Sequence, residues 1–191
     1  MTRADTHHRI LDATLACILE MGLSGVTTRA IATRAGVNEV TLFRKFGNKN
    51  NLLKAVISRE ASLVASHDIR YTGNLTDDLT RAVTGYIELG QRRPGLIGVL
   101  MSELPRHPEL IEAFEGPIGI LQSGIQMILR YQQEGQLKSE HPFQTAVSLI
   151  APIIVMGVAR NLLPSGITPP PPDAREIVQN FLQGRGLSES Q

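Results

Sequence analysis

Residues 27–49 read TTRAIATRAGVNEVTLFRKFGNK, and this stretch decides the fold. Thr28 stands where an N-cap belongs, ahead of RAIATRA, whose Ile31, Ala32 and Ala35 form a helical apolar stripe. Gly36 stops that helix. Asn38 caps the next, EVTLFRKF; Gly47 closes it, and Asn48 caps a longer helix running from Lys49 to about Ser66. Two short helices joined by a tight Gly-containing turn make a helix-turn-helix unit, whose second helix is shaped for a DNA major groove. At 100° per residue, Leu42 and Phe46 define the inward side of that second helix. Val40 and Arg44 then lie almost opposite, with Thr41 and Phe43 on the flanks. A face mixing Thr, Arg, Val and Phe suits phosphates and base edges, although a merely solvated helix has the same periodicity.

Composition supports this reading. The 191 residues fit one large domain or two small ones. With 42% hydrophobic and 19% charged residues the chain is too apolar for disorder, and 4% aromatic content without Trp favours helices rich in Ala, Leu and Ile. The net charge of +1 hides an asymmetry: residues 1–60 hold nine Lys or Arg against five acids, a net of +4, and the remainder carries −3. A basic end on an acidic body is expected where one end meets a polyanion and the other does something else. The single cysteine, Cys17, excludes an internal disulfide or a thiolate cluster and points to a reducing compartment. The start, MTRADTHHRILD, has no apolar stretch behind its charges, so a cytoplasmic location is expected.

The other helices follow from periodicity. Ile10, Thr14, Cys17, Ile18 and Met21 recur at helical spacing from Thr6 to Gly22, with His7 and His8 as a solvated start. Thr76 to about Gln91 carries Leu79, Val83, Tyr86 and Ile87 on one side, and GLIGVLMSEL follows Pro94. Helical spacing runs from Pro108 to about Gln133, where Gly116 and Pro117 should bend or break it. Pro142–Leu163 is the most apolar helix. Its uncharged run approaches membrane-spanning length, but Gln144, Thr145, Ser148 and Pro152 favour a buried helix. PSGITPPPP is a stiff connector, and Asp173 caps a last helix with Ile177, Val178, Phe181 and Leu182. The fold class is therefore all-α: an N-terminal helix-turn-helix domain over residues 1–48, then a larger helical domain over 49–191.

The segment 27–56 also resembles the N-terminal domain of TetR-family transcriptional regulators. Thr27-Thr28, Ile31-Ala32, Ala35-Gly36-Val37, Thr41-Leu42-Phe43, Phe46, Lys49 and Leu52-Leu53 fall at matching positions, and the likeness covers roughly residues 7–58. The resemblance implies that Thr27, Thr28, Asn38, Thr41, Arg44 and Lys49 touch DNA. Two positions depart from the family pattern. Phe43 replaces a Tyr that usually donates to a phosphate, and Val40 replaces a frequent Gly, placing an apolar group where a thymine methyl is its natural partner. Glu39 and Lys45 stay open between DNA contact and solvation.

The resemblance further implies a homodimer paired through the last two long helices and a small-molecule effector held in the C-terminal body. The residues support the dimer independently. Val147, Ile150, Ala151, Ile154 and Val158 form one stripe, while Leu149, Ile153 and Met156 occupy another, so the helix needs cover on both sides. Val147, Ile150, Ile154, Val158, Phe181 and Leu182 are the interface candidates. Tyr86, Met101, Phe114, Met127 and Tyr131 are candidates to line a pocket for an apolar or amphipathic effector, against the plainer alternative that they are core. Arg130 is placed at the surface. No cofactor, catalytic group or metal site is expected, because the histidines lack ligand or nucleophile-base spacing. The competing reading is a helical protein-interaction module without DNA binding.

Overall fold

The computed structural model describes residues 3–65, 67–106, 108, 112, 114–163, 167, 170 and 172–185. All regular elements among them are helical: α1 (Arg3–Gly25), α2 (Thr28–Ala35), α3 (Glu39–Phe46), α4 (Lys49–Ala65), α5 (Leu75–Arg92), α6 (Leu96–Glu103), α7 (Glu115–Gln133), α8 (Pro142–Leu162) and α9 (Ala174–Arg185), with a 3-10 turn at Leu104–Arg106. The chain divides into two compact units, Met1–Glu60 with Gly95–Pro117, and Ala61–Pro94 with Ile118–Gln191. The first unit thus reaches past the boundary at residue 48 drawn from the sequence. The start of α4 and the segment carrying α6 group with the N-terminal helices.

In the first unit, Ile10, Ile18, Leu23, Val26, Ile31, Leu42, Leu52, Leu53 and Leu96 are fully buried, each large side chain contributing about 1.5–3 kcal/mol. Cys17 lies among these buried residues as a small apolar side chain. α1 begins at Arg3, so His7 and His8 sit inside it rather than ahead of it; Gly22, at φ 68° and ψ 173°, breaks its regular path. Glu103 of α6 accepts from the Ser24 hydroxyl at 2.8 Å and fastens α6 to the end of α1. Thr27 caps α2, one residue earlier than the sequence suggests, with its hydroxyl oxygen accepting from the Ala30 amide at 3.1 Å. Thr28 becomes the first helical residue, which frees its side chain for other work.

The turn between α2 and α3 is closed by local hydrogen bonds. The Gly36 amide donates to Thr33 O at 3.1 Å and the Val37 amide to Ala32 O at 3.0 Å, a Schellman closure that needs a left-handed residue at 36. Gly36 supplies it at φ 62°, and a Cβ there would lie 2.8 Å from Arg9 Nη2, the group that donates to Ala35 O. Glycine is therefore favoured by the backbone, since the Arg9 guanidinium lies at the end of a flexible side chain that could move aside. Asn38 caps α3 through the Val40 amide at 3.0 Å, and Asn48 caps α4 through the Asn51 amide at 2.8 Å.

The second unit packs α5, α8 and α9 with the bulk of α7 around Leu79, Ala82, Val83, Met127, Ile128, Tyr131, Leu137, Ala146, Leu149, Ile153, Val178 and Phe181. Asp173 caps α9 by accepting from the Arg175 amide at 2.7 Å. α7 starts at Glu115, so Pro117 falls in its first turn, where a missing N–H costs nothing, and it does not kink the helix. The expected helical stretch from Pro108 to Glu115 rests largely on residues outside the described ones, as does most of PSGITPPPP. Within this apolar core sits a carboxylate. Asp78 is fully buried and accepts from the Thr72 amide at 2.6 Å, the Thr72 hydroxyl, the Tyr131 hydroxyl at 2.5 Å and the Arg81 guanidinium.

α8 departs from its expected environment. It is long and apolar enough to cross a membrane by length and composition, yet only 22% of Pro142–Arg160 is buried within the chain. One side, Ala146, Leu149 and Ile153, is core. Val147, Ile150, Ile154 and Val158 share another side, on which Val147 is 40% exposed, and Val155 beside them is 64% exposed. Ile150, Ile154 and Val158 are half-buried, Ile150 against the unit's own core, so the chain covers this stripe only in part and leaves Val147 and Val155 exposed.

Candidate nucleic-acid interface

α3 is amphipathic on a small scale. Leu42 and Phe46 are buried, while Val40 is 71% and Phe43 43% exposed, Arg44 is exposed and Thr41 is half-buried. The wheel drawn from the sequence places these residues the same way, because two buried anchors one turn apart leave an eight-residue helix no other orientation. The last turn is steadied from α1, where the His7 ring stacks on Phe46 with centroids 4.9 Å apart. His7 is therefore half-buried, not simply solvated. Burial first, then the nearby Lys45 charge, holds its imidazole below the ordinary value.

Hydrogen-bond supply at this surface can be followed proton by proton. Thr27 uses its oxygen to cap α2 and keeps its O–H proton to give. Asn38 uses its carbonyl oxygen on α3 and keeps both amide protons. Thr28 is different: its hydroxyl donates to Glu39 Oε2 at 2.7 Å, joining the first residues of α2 and α3. Lys49, half-buried, donates to Leu23 O at 3.4 Å, a long bond that leaves two of its three protons unassigned by that contact. Arg29, on the exposed side of α2, adds positive charge. The Thr28–Glu39 pair was not legible in the sequence, since nothing in an 11-residue separation across a turn predicts which side chains meet.

The remaining candidates separate by unit. Met101, 63% exposed, and Phe114, buried, belong to the first. Tyr86, Met127 and Tyr131 belong to the second, where Met127 and Tyr131 are core and Tyr86 packs against that core, burial raising its hydroxyl pKa. The Tyr131 phenol is pushed up by burial and by its bond to Asp78. An open groove of about 600 Å³ in the second unit is lined by Arg70, Tyr71, Ser123, Met127, Arg130 and Glu134 among others; of the five candidates only Met127 borders it. Arg130 is exposed, covers the Tyr71 ring at 3.6 Å and pairs with Glu134 at 3.2 Å. Among the interface candidates, Phe181 is buried in the chain's own core and Leu182 packs against it. Among the described residues no three His, Cys, Asp or Glu side chains gather as a metal would require.

A helix-turn-helix with a solvent-facing second helix on a basic segment, followed by a larger helical body, defines the class of helix-turn-helix DNA-binding folds. Residues 10–56 match the family described as bacterial regulatory proteins, tetR family, a match confined to the helix-turn-helix end of the chain. The chain is 35% identical to YvkB, an uncharacterized HTH-type transcriptional regulator of Bacillus subtilis (strain 168), over 98 residues, 51% of this chain and 52% of that protein. It is 36% identical to the HTH-type transcriptional repressor KstR of Mycobacterium tuberculosis (strain ATCC 25618 / H37Rv) over 105 residues, 55% of this chain and 43% of the repressor. These matches span about half the length of the curated relatives. The crystal structure of a protein from Rhodococcus sp., described as a TetR-family transcriptional regulator, is similar with a TM-score of 0.75 at 20% identity, covering 94% of this chain and 97% of that one, which establishes the likeness of fold.

Proposed function

We propose that this protein is a cytoplasmic transcriptional repressor that binds a palindromic operator as a homodimer and is released by a small apolar or amphipathic effector. The observation that carries the reading is α3: Leu42 and Phe46 anchor it while Val40, Phe43 and Arg44 face solvent on a segment of net charge +4. Among the described residues that face is left largely to solvent. Thr27, Asn38 and Lys49 bring hydroxyl, amide and ammonium groups to the starts of α2, α3 and α4, where phosphate oxygens are favoured, while Thr28 gives its proton to Glu39. Repression is supported by the name of KstR. The helix-turn-helix end, with Lys49 at its edge, acts as the reader, and the larger helical body binds the effector and pairs. Val147, Ile150, Ile154 and Val158 meet a second copy together with α9.

The direct test is selection of bound sequences from randomised duplexes. A palindromic consensus supports the reading; retention of DNA without any consensus overturns it. Arg44→Ala is expected to weaken specific binding by about 1–3 kcal/mol and to relax preference at one base pair per half-site. Lys49→Ala behaves differently. As a phosphate contact it weakens binding to every sequence and lowers the salt slope by about one per subunit. Equal losses on all sequences for both variants would remove Arg44 from the role of reader.

Effector release carries its own thermodynamic signature. A ligand that weakens operator binding must itself be weakened by operator to the same degree, typically about 1–3 kcal/mol. Calorimetric titration of candidate apolar compounds into free and operator-bound protein measures it. Identical affinities in the two states would leave the C-terminal body as a pairing device alone.

A further inference from the structure

We propose that Glu39 is a specificity-determining residue that reads the amino group of a cytosine in the major groove, an assignment that rests on α3 being the recognition helix. A threonine hydroxyl has one proton, and Thr28 gives it to Glu39 Oε2 at 2.7 Å. Thr28 then has only lone pairs to offer outward, and phosphate oxygens accept but do not donate. The Thr28–Glu39 pair therefore presents an acceptor-only surface where the other helix starts present donors. No Lys or Arg among the described residues pairs with Glu39, so its carboxylate keeps most of its acceptor capacity.

Position and chemistry select the partner. Glu39 is the first residue of α3, next to Val40, the more exposed of that helix's two exposed apolar residues, and the first turn of a recognition helix is the part that reaches base edges. In the major groove guanine shows N7 and O6 and thymine shows O4, all acceptors that repel a carboxylate. Adenine offers its N6 amino group but sets the N7 acceptor beside it. Cytosine N4 is the one donor without an adjacent acceptor on its own base, and a carboxylate is its natural partner. Near a polyanion this charge weakens binding to all sequences, so its contribution is discrimination: it rejects three bases more than it attracts the fourth. The bond from Thr28 holds the side chain half-buried before DNA arrives, which lowers the ordering cost of reading.

The experiment compares the wild-type chain with Glu39→Ala, Glu39→Gln and Thr28→Val, using selection from randomised duplexes and titration of the selected site and of mixed-sequence DNA, with thermal unfolding as the control for folding. The wild type is expected to select cytosine at one position of each half-site and to lose about tenfold in affinity when that base is changed. Glu39→Ala should bind all four bases there within about twofold while keeping the rest of the consensus. It should also bind mixed-sequence DNA more tightly, an effect that a purely structural role would not produce. Glu39→Gln should move the preference toward adenine, whose N6 and N7 match an amide. Thr28→Val should keep cytosine but weaken the preference. The proposal is overturned if Glu39→Ala retains the wild-type preference at every position. A wild-type protein with no consensus overturns the regulator reading itself, whereas a palindrome indifferent to Glu39 overturns only this assignment.

Discussion

Asp78→Ala is expected to destabilise the second unit by about 3–5 kcal/mol, because it strips the acceptor from a buried ionic cluster and leaves its donors stranded. The carboxylate is fully buried and holds the Thr72 amide and hydroxyl, the Tyr131 hydroxyl and the Arg81 guanidinium. It ties the segment before α5, the first turn of α5 and the end of α7 to one point. Against a typical stability of about 5–15 kcal/mol, that loss is a large fraction of the whole. Urea unfolding followed by circular dichroism measures it, and a change under about 1 kcal/mol would show that the cluster is energetically neutral. Tyr131→Phe removes a single donor and should cost only about 1 kcal/mol. The acid response has a definite sign. Burial pushes the Asp78 carboxyl up, but the bonds from Thr72, Tyr131 and Arg81 outweigh it and hold the group below the usual carboxylate value. Its contribution is therefore complete above the unfolded-state pKa, about 4, and fades as pH falls through the lower folded-state value. Asp78→Asn should flatten that acid limb of the stability curve.

Val147→Asp with Val155→Asp is expected to convert the protein to monomers and to lower operator affinity by about 10²–10⁴-fold, the advantage that joining two half-site readers confers. Both side chains are exposed on α8 in the single chain, so charges there leave its own core intact. Across a paired interface the same charges would be buried without partners. Point substitutions serve better than deleting α8, since Ala146, Leu149 and Ile153 are core and their removal would unfold the unit. Light scattering and duplex titration read the result. A double variant that stays dimeric would move the pairing surface off this face of α8.

Much of the fold was legible because its determinants are local. The caps at Asn38, Asn48 and Asp173, the left-handed Gly36 and the inward pair Leu42 and Phe46 act within one or two helical turns, so residue type and spacing suffice. The misplaced cap at Thr28 was an error of one residue between adjacent threonines, either of which can cap; the backbone bond pattern chose Thr27. The sequence by itself therefore determined the all-helical class, the helix-turn-helix and the exposed face of α3. Tertiary structure alone decided which apolar stripes meet. Periodicity shows that α8 has two apolar sides but not that Leu149 and Ile153 turn to the core while Val147 stays uncovered, nor that Phe181 is consumed by that core. The same holds for polar pairs. Asp78 and Tyr131 meet across 53 residues and Thr28 and Glu39 across a turn, because burial and helix packing, not neighbouring sequence, set the distance between them.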